Sequence, residues 1–143
     1  MKKLFALLTA SVLFFGYTKA QCLTHVKYSA SSMQVLDSTM QQVGSKDVSF
    51  VMEVTEKGFT ATQDGQDDDA FHGTLKKLTC DWKEPYKNGK IIMICDVHTN
   101  NEDIVDADIT IEAVDGKITI TMHAKEHANE ILKLAIDKYD EVK

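Results

Sequence analysis

The stretch VDADITIEAVDGKITITMHA, residues 105–124, constrains the fold most. Val105, Ala107, Ile109, Ile111 and Ala113 alternate with Asp106, Asp108, Thr110 and Glu112, a period of two that suits a strand with one buried face. Asp115-Gly116 supplies a two-residue reversal, and Ile118, Ile120, Met122 and Ala124 resume the alternation. With Val114 and Lys117 flanking the turn, Ala113 meets Ile118, Ile111 meets Ile120 and Ile109 meets Met122, so the apolar faces coincide. The same register sets Asp108 opposite His123 and Asp106 opposite Lys125 on the solvent face, as opposite-charge neighbours.

The flanking sequence extends this arrangement. Val48, Phe50, Met52 and Val54 alternate up to Glu56-Lys57-Gly58, after which Phe59 and Ala61 continue, which predicts a second hairpin. The run Asp64 to Asp69 interrupts the alternation and reads as a surface loop, with strands at about 70–82 and 90–98 beyond it. Met33, Leu36, Met40 and Val43 fit a helix, yet His25 to Leu36 is strand-like, and a strand over about 24–36 is the reading adopted. From Lys125 onward, Ala128, Ile131, Leu132, Ala135, Tyr139 and Val142 recur at three- and four-residue spacing, which predicts an amphipathic helix over about 125–141.

The expected fold is therefore mainly β, of the α+β kind: an antiparallel meander of about six or seven strands curled into a small barrel or half-barrel, with the C-terminal helix packed on it. At the level of fold alone this order resembles lipocalin-like small extracytoplasmic proteins, without any lipocalin sequence signature.

Residues 1–20 read as a signal peptide: Lys2 and Lys3, the apolar run Leu4 to Phe15, and small Thr18 and Ala20 ahead of a cleavage point. A single β-rich domain, residues 21–143, is expected in the periplasm or outside the cell, with no second apolar stretch approaching a membrane span. Gln21 before Cys22 argues against lipidation of that cysteine. The chain has no arginine, and residues 21–143 carry thirteen lysines against 22 acids, a net charge of −9. Nucleic-acid binding needs a cationic footprint and is not expected. The charge suits a basic protein partner instead.

TCDWKEPYKNGKIIMICDV, residues 79–97, carries two of the three cysteines around an Asn-Gly turn signal. Cys80 shares a face with Leu78 and Trp82, and Cys95 shares one with Met93 and Val97. A tight turn at Asn88-Gly89 sets Cys95 opposite Trp82, with Cys80 diagonal to it. A wider loop over Pro85 to Lys90 opposes the two cysteines directly, and Pro85, lacking an N–H for the ladder, favours it. In an oxidising compartment this predicts a Cys80–Cys95 disulfide. Cys22 is then the odd cysteine, free near a terminus, bridging a second copy in a dimer, or competing for Cys80 or Cys95.

Other motifs yield to plainer readings. His123-Ala124-Lys125-Glu126-His127 matches the H-x-x-E-H of inverted zinc proteases, in which both histidines lie on one helix face. Here His123 belongs to a strand and only 16 residues follow His127, leaving His123, His127 and Asp108 as weak metal candidates. The acidic run Asp64 to Asp69 lacks the alternating ligands of a calcium loop. Asp96, His98, Asn100, Asn101, Glu102 and Asp103 read as a polar loop between strands. Phe50, Met52, Phe59, Phe71, Trp82, Met93 and Met122 are candidate linings of an apolar pocket, and a solid core uses the same residues.

No cofactor and no catalytic framework is expected. The function anticipated is a non-enzymatic binding module, acting through a protein surface as an inhibitor or immunity-type protein, or through a shallow pocket. The alternative is a lipocalin-like carrier of a small apolar ligand. A small hydrolase using His98 or His123 is the third class.

Overall fold

A computed structural model describes Cys22 and residues 24–143; the expected signal peptide lies outside the described residues. Among the described residues there are nine strands: β1 (Val26–Leu36), β2 (Gln42–Thr55), β3 (Gly58–Gln63), β4 (Gln66–Glu84), β5 (Asn88–His98), β6 (Ile104–Val114), β7 (Lys117–Ala124), β8 (Ile131–Ala135) and β9 (Lys138–Glu141), with a 3-10 turn at Lys125–His127. Each strand from β1 to β7 pairs antiparallel with the next, and β8 returns to β1, closing an eight-stranded barrel. β9 continues beyond β8 along the first half of β1: Leu134 pairs with Met33 and Tyr139 with Tyr28. Closure pairs the eight barrel strands around the ring, while β9 and the first part of β2 are paired on one side only, with β1.

The β6–β7 and β2–β3 hairpins fold as expected from the alternation. Ala113 pairs with Ile118, Ile111 with Ile120, Ile109 with Met122 and Asp108 with His123, as the alternation predicts. Lys125 reaches Asp106 at 3.7 Å. Thr55 pairs with Gly58 across Glu56-Lys57, and β1 covers the segment read as a strand.

The C-terminal helix expected over 125–141 is corrected: among the described residues there is no α-helix, and the segment forms the 3-10 turn, β8 and β9. Leu132, Leu134 and Ile136 carry a period of two that the adjacent Ile131 and Ala135 disguise as helical spacing. Leu134 is fully buried, while Leu132 and Ile136 pack at the edge of the core. As a helix, this segment would leave the backbone groups of β7 and β1 unpaired along two edges. The loop expected over 64–69 is corrected as well. Only Asp64 and Gly65 form the turn, and Gln66 to Asp69 begin β4 with every side chain exposed.

The cysteine pairing differs from the expected Cys80–Cys95 bond. Cys22 is bonded to Cys80, their Cα atoms 6.0 Å apart, and Cys95 is a free thiol inside the barrel. The turn between β4 and β5 is tighter than the expected loop over Pro85 to Lys90: it falls at Pro85-Tyr86, where the Lys87 N–H donates to the Glu84 carbonyl, and Glu84 pairs with Asn88. Cys80 therefore pairs with Ile91 while Cys95 pairs with Leu75. Four strand positions separate Ile91 from Cys95, roughly 13 Å, well beyond disulfide reach.

The core fills most of the interior. Phe50, Met52, Met93, Cys95, Ile109, Ile111, Ile120 and Leu134 are fully buried. An up-and-down barrel places alternate loops at opposite ends. The loops 37–41, 64–65, 99–103 and 125–130 share one end, and the turns at 56–57, 85–87 and 115–116 share the other with Thr24. That second end is closed by aromatic rings: Tyr86 stacks on Tyr139 at 4.7 Å and packs against Trp82 at 5.9 Å. The Tyr86 hydroxyl is hydrogen-bonded to Thr24 at 2.7 Å.

Candidate ligand pocket at the barrel mouth

The loop end is open. A cavity of about 350 Å³ enters the barrel there, between the 99–103 and 125–130 segments. Its wall is Phe59, Phe71, Val97, Val105, Ala107, Ile109, Met122, Ala124 and Leu132, and its polar lining is Thr99, His127 and Glu130, all at the rim. The size lies at the lower end of small-molecule sites, and a mostly apolar wall with few polar groups is their usual composition.

Strand geometry explains why the interior is empty here and full below. Gly73 pairs with Phe59 and offers no side chain to the interior. A Cβ on Gly73 would lie 2.0 Å from the Phe59 ring, so the ring rests directly on the glycine backbone. Phe71 meets Phe59 edge to face at 6.1 Å and tilts against Phe50 at 6.3 Å, which forms an aromatic wall on one side. Opposite it, Ala107 pairs with Ala124, and two small side chains leave the space that a leucine pair would fill.

The residues proposed from sequence as pocket lining divide into three groups. Phe59, Phe71 and Met122 line the cavity. Phe50, Met52 and Met93 are buried in the solid core beneath it. Trp82 stands eleven residues beyond Phe71 on β4, against Tyr86 at the closed end. Ala107, Ala124 and the rim residues Thr99, His127 and Glu130 were not among the proposed lining: the alternation put both alanines on the inward face, but nothing in it shows that their small side chains leave a space at the mouth.

The candidate metal ligands diverge. Asp108 and His123 face each other on the outer wall, where Asp108 Oδ1 and His123 Nε2 are buried without a hydrogen-bond partner, while His127 turns to the mouth. Among the described residues no three His, Cys, Asp or Glu side chains gather as a metal site. Asp96 and His98 lie on β5 rather than in a loop, and His98 pairs with His72. The Thr99 hydroxyl donates to the Asp103 carbonyl at 3.4 Å, and no side-chain hydrogen bond joins Thr99, His127 and Glu130.

No protein-family model, curated protein or solved structure matches this chain. The disulfide-bonded pair is compatible with an extracytoplasmic protein. No helix among the described residues is long and apolar enough to cross a membrane.

Proposed function

We propose that this chain is an exported, non-enzymatic binding module that takes a small apolar ligand end-on into the mouth of its barrel. The observation that carries this reading is the 350 Å³ apolar cavity, open at one end and held over a packed core. A preformed pocket on a closed barrel requires little ordering when a ligand enters, so most of the contact energy is retained. The rim groups give a ligand a place for a polar end, and Thr99, the one hydroxyl among them, already donates elsewhere. The protein-surface reading rests on net charge alone, whereas the pocket offers a shape and a chemistry.

Export is supported by the signal-peptide-like start and by the disulfide. The test is titration with an apolar fluorescent probe against the native chain and Ala124→Phe, which places a ring in the cavity at the mouth. Probe binding in the native chain and its loss in a folded variant are expected. Equal binding by both proteins contradicts the reading. Trp82 is a poor reporter, since it lies at the far end of the barrel.

A further inference from the structure

The charge of this molecule is distributed unevenly along the barrel axis. The mouth segments 37–41, 64–69, 99–103 and 125–130 carry nine carboxylates and one lysine, Lys125. That lysine is turned to Asp106 on the outer wall. At the opposite end, segments 56–57, 85–87, 115–116 and 138–143 carry four acids and four lysines. The excess negative charge of the chain is therefore concentrated at the opening.

No ion pair neutralises it. None of the nine mouth carboxylates takes part in an ion pair among the described residues. Those with partners are held by neutral donors, which fix the carboxylate and leave its charge: Asp37 accepts from the Thr39 and Gln41 N–H groups, Asp64 from the Ser49 N–H and Asp69 from the Asn100 amide. Glu130 stands in the lining of the cavity itself. The hairpin bearing Asp67, Asp68 and Asp69 rises beyond His98, where β5 ends, and so stands above the rim.

We infer that the occupant of this pocket is a cationic amphiphile: a short apolar tail in the cavity and an ammonium-type head at the rim beside Glu130. The inference rests on the pocket reading above and adds the charge of the ligand to it. A low-dielectric cavity ringed by charges of one sign focuses their field at its opening and enriches the opposite ion there by roughly 10- to 1,000-fold. An anionic head in the same place would meet Glu130 in a lining that contains no lysine, at an end of the barrel that carries eight further carboxylates without an ion pair. Fatty acids, the obvious occupants of an apolar barrel, are thus disfavoured by the rim while their tails are accepted by the wall.

The experiment compares three probes with the same chain length, octyltrimethylammonium, octanol and octanoate, each below its micelle concentration, by calorimetric titration of the disulfide-bonded protein at low salt. The cation is expected to bind about tenfold or more tighter than octanoate, with octanol between them, and the gap should shrink to about threefold or less in 0.5 M salt. Glu130→Gln combined with Asp67→Asn, Asp68→Asn and Asp69→Asn should weaken the cation and leave octanol unchanged. Octanoate binding as tightly as the cation, or a preference for the cation that survives both salt and the variant, overturns the inference while octanol binding keeps the pocket reading. Failure of all three probes to bind removes both.

Discussion

Cys22 is bonded to Cys80 across 58 residues of chain, and this places the start of the domain against the inward face of β4, beside the aromatic cluster at the closed end of the barrel. The bond closes most of the first half of the domain into one loop. On the chain-entropy account a loop of this length is stabilised by roughly 4 kcal/mol, more than the sequence-predicted Cys80–Cys95 loop would give. Cys22→Ser is expected to lower the unfolding free energy by about 2–5 kcal/mol, read by urea denaturation. Non-reducing peptide mapping should join the Cys22 and Cys80 peptides. Recovery of a Cys80–Cys95 peptide contradicts the fold as well as the bond.

Cys95 carries a pH prediction. Burial, with the Asp96 carboxylate adding to it, pushes its thiol up to about 11, and Tyr28 is raised further by burial beside Tyr86 and Tyr139. A group whose proton is held more tightly in the folded state contributes stability that is present below its unfolded pKa and lost as pH rises through the folded value. Stability should therefore fall between about pH 9 and 11, by roughly 2–3 kcal/mol from Cys95. Cys95→Ala should flatten the fall in that window and leave the later loss from Tyr28. An identical alkaline profile in the variant would remove Cys95 as its cause. In the native protein at pH 7, alkylating reagents should leave Cys95 unmodified until denaturant is added.

Asp96 and Asp106 stand directly opposite each other on β5 and β6, a like-charge pair that would oppose the sheet. Lys76, at a bulge in β4, reaches both, at 3.2 Å and 3.0 Å. Its ammonium, foremost among several partners, holds the Asp106 carboxyl below the usual carboxylate range. This stability is present above the ordinary carboxylate pKa and is lost as pH falls through the lowered value. Lys76→Met should lower the melting temperature at pH 7, with a smaller difference from the native chain in 0.5 M salt and below about pH 3. A difference that grows on acidification would refute this account.

Gly73 couples the fold to the pocket. Gly73→Ala must displace the Phe59 ring, whose way out is the cavity, so the variant should lose about 1–3 kcal/mol of stability as an overpacked site. It should also bind an apolar probe more weakly. Stability loss with undiminished binding would show that the ring moves elsewhere.

Hairpin patterning and a barrel or half-barrel were legible in the sequence, and the C-terminal strands that complete the barrel were not. The β6–β7 register followed from two alternating runs and Asp115-Gly116, because a period of two allows no slip without exposing every apolar side chain. The β4–β5 reversal was expected as a wide loop over Pro85 to Lys90, yet β5 already begins at Asn88 and the chain turns at Tyr86 with φ of 62°. A tyrosine in that conformation is uncommon and carries no local signal. It is held there by Tyr139 and Thr24, which are distant in sequence. Gly89 is used for contact instead: a Cβ there would lie 2.3 Å from the Asp81 carbonyl oxygen. β8 was read as a helix because its partners, β7 and β1, are found only when the barrel closes. The pocket was half visible: its aromatic wall was among the predicted residues, while the alanine pair that leaves the space was not.

Methyl-resolved NMR of the native protein titrated with octanol tests the central claim most directly. The account predicts saturable shifts at Val97, Val105, Ala107, Met122 and Leu132 around the mouth, with Val26, Ile91 and Ile118 at the closed end unmoved. Shifts confined to outer-wall residues such as Ile94 and Val114, or none at all, would contradict it.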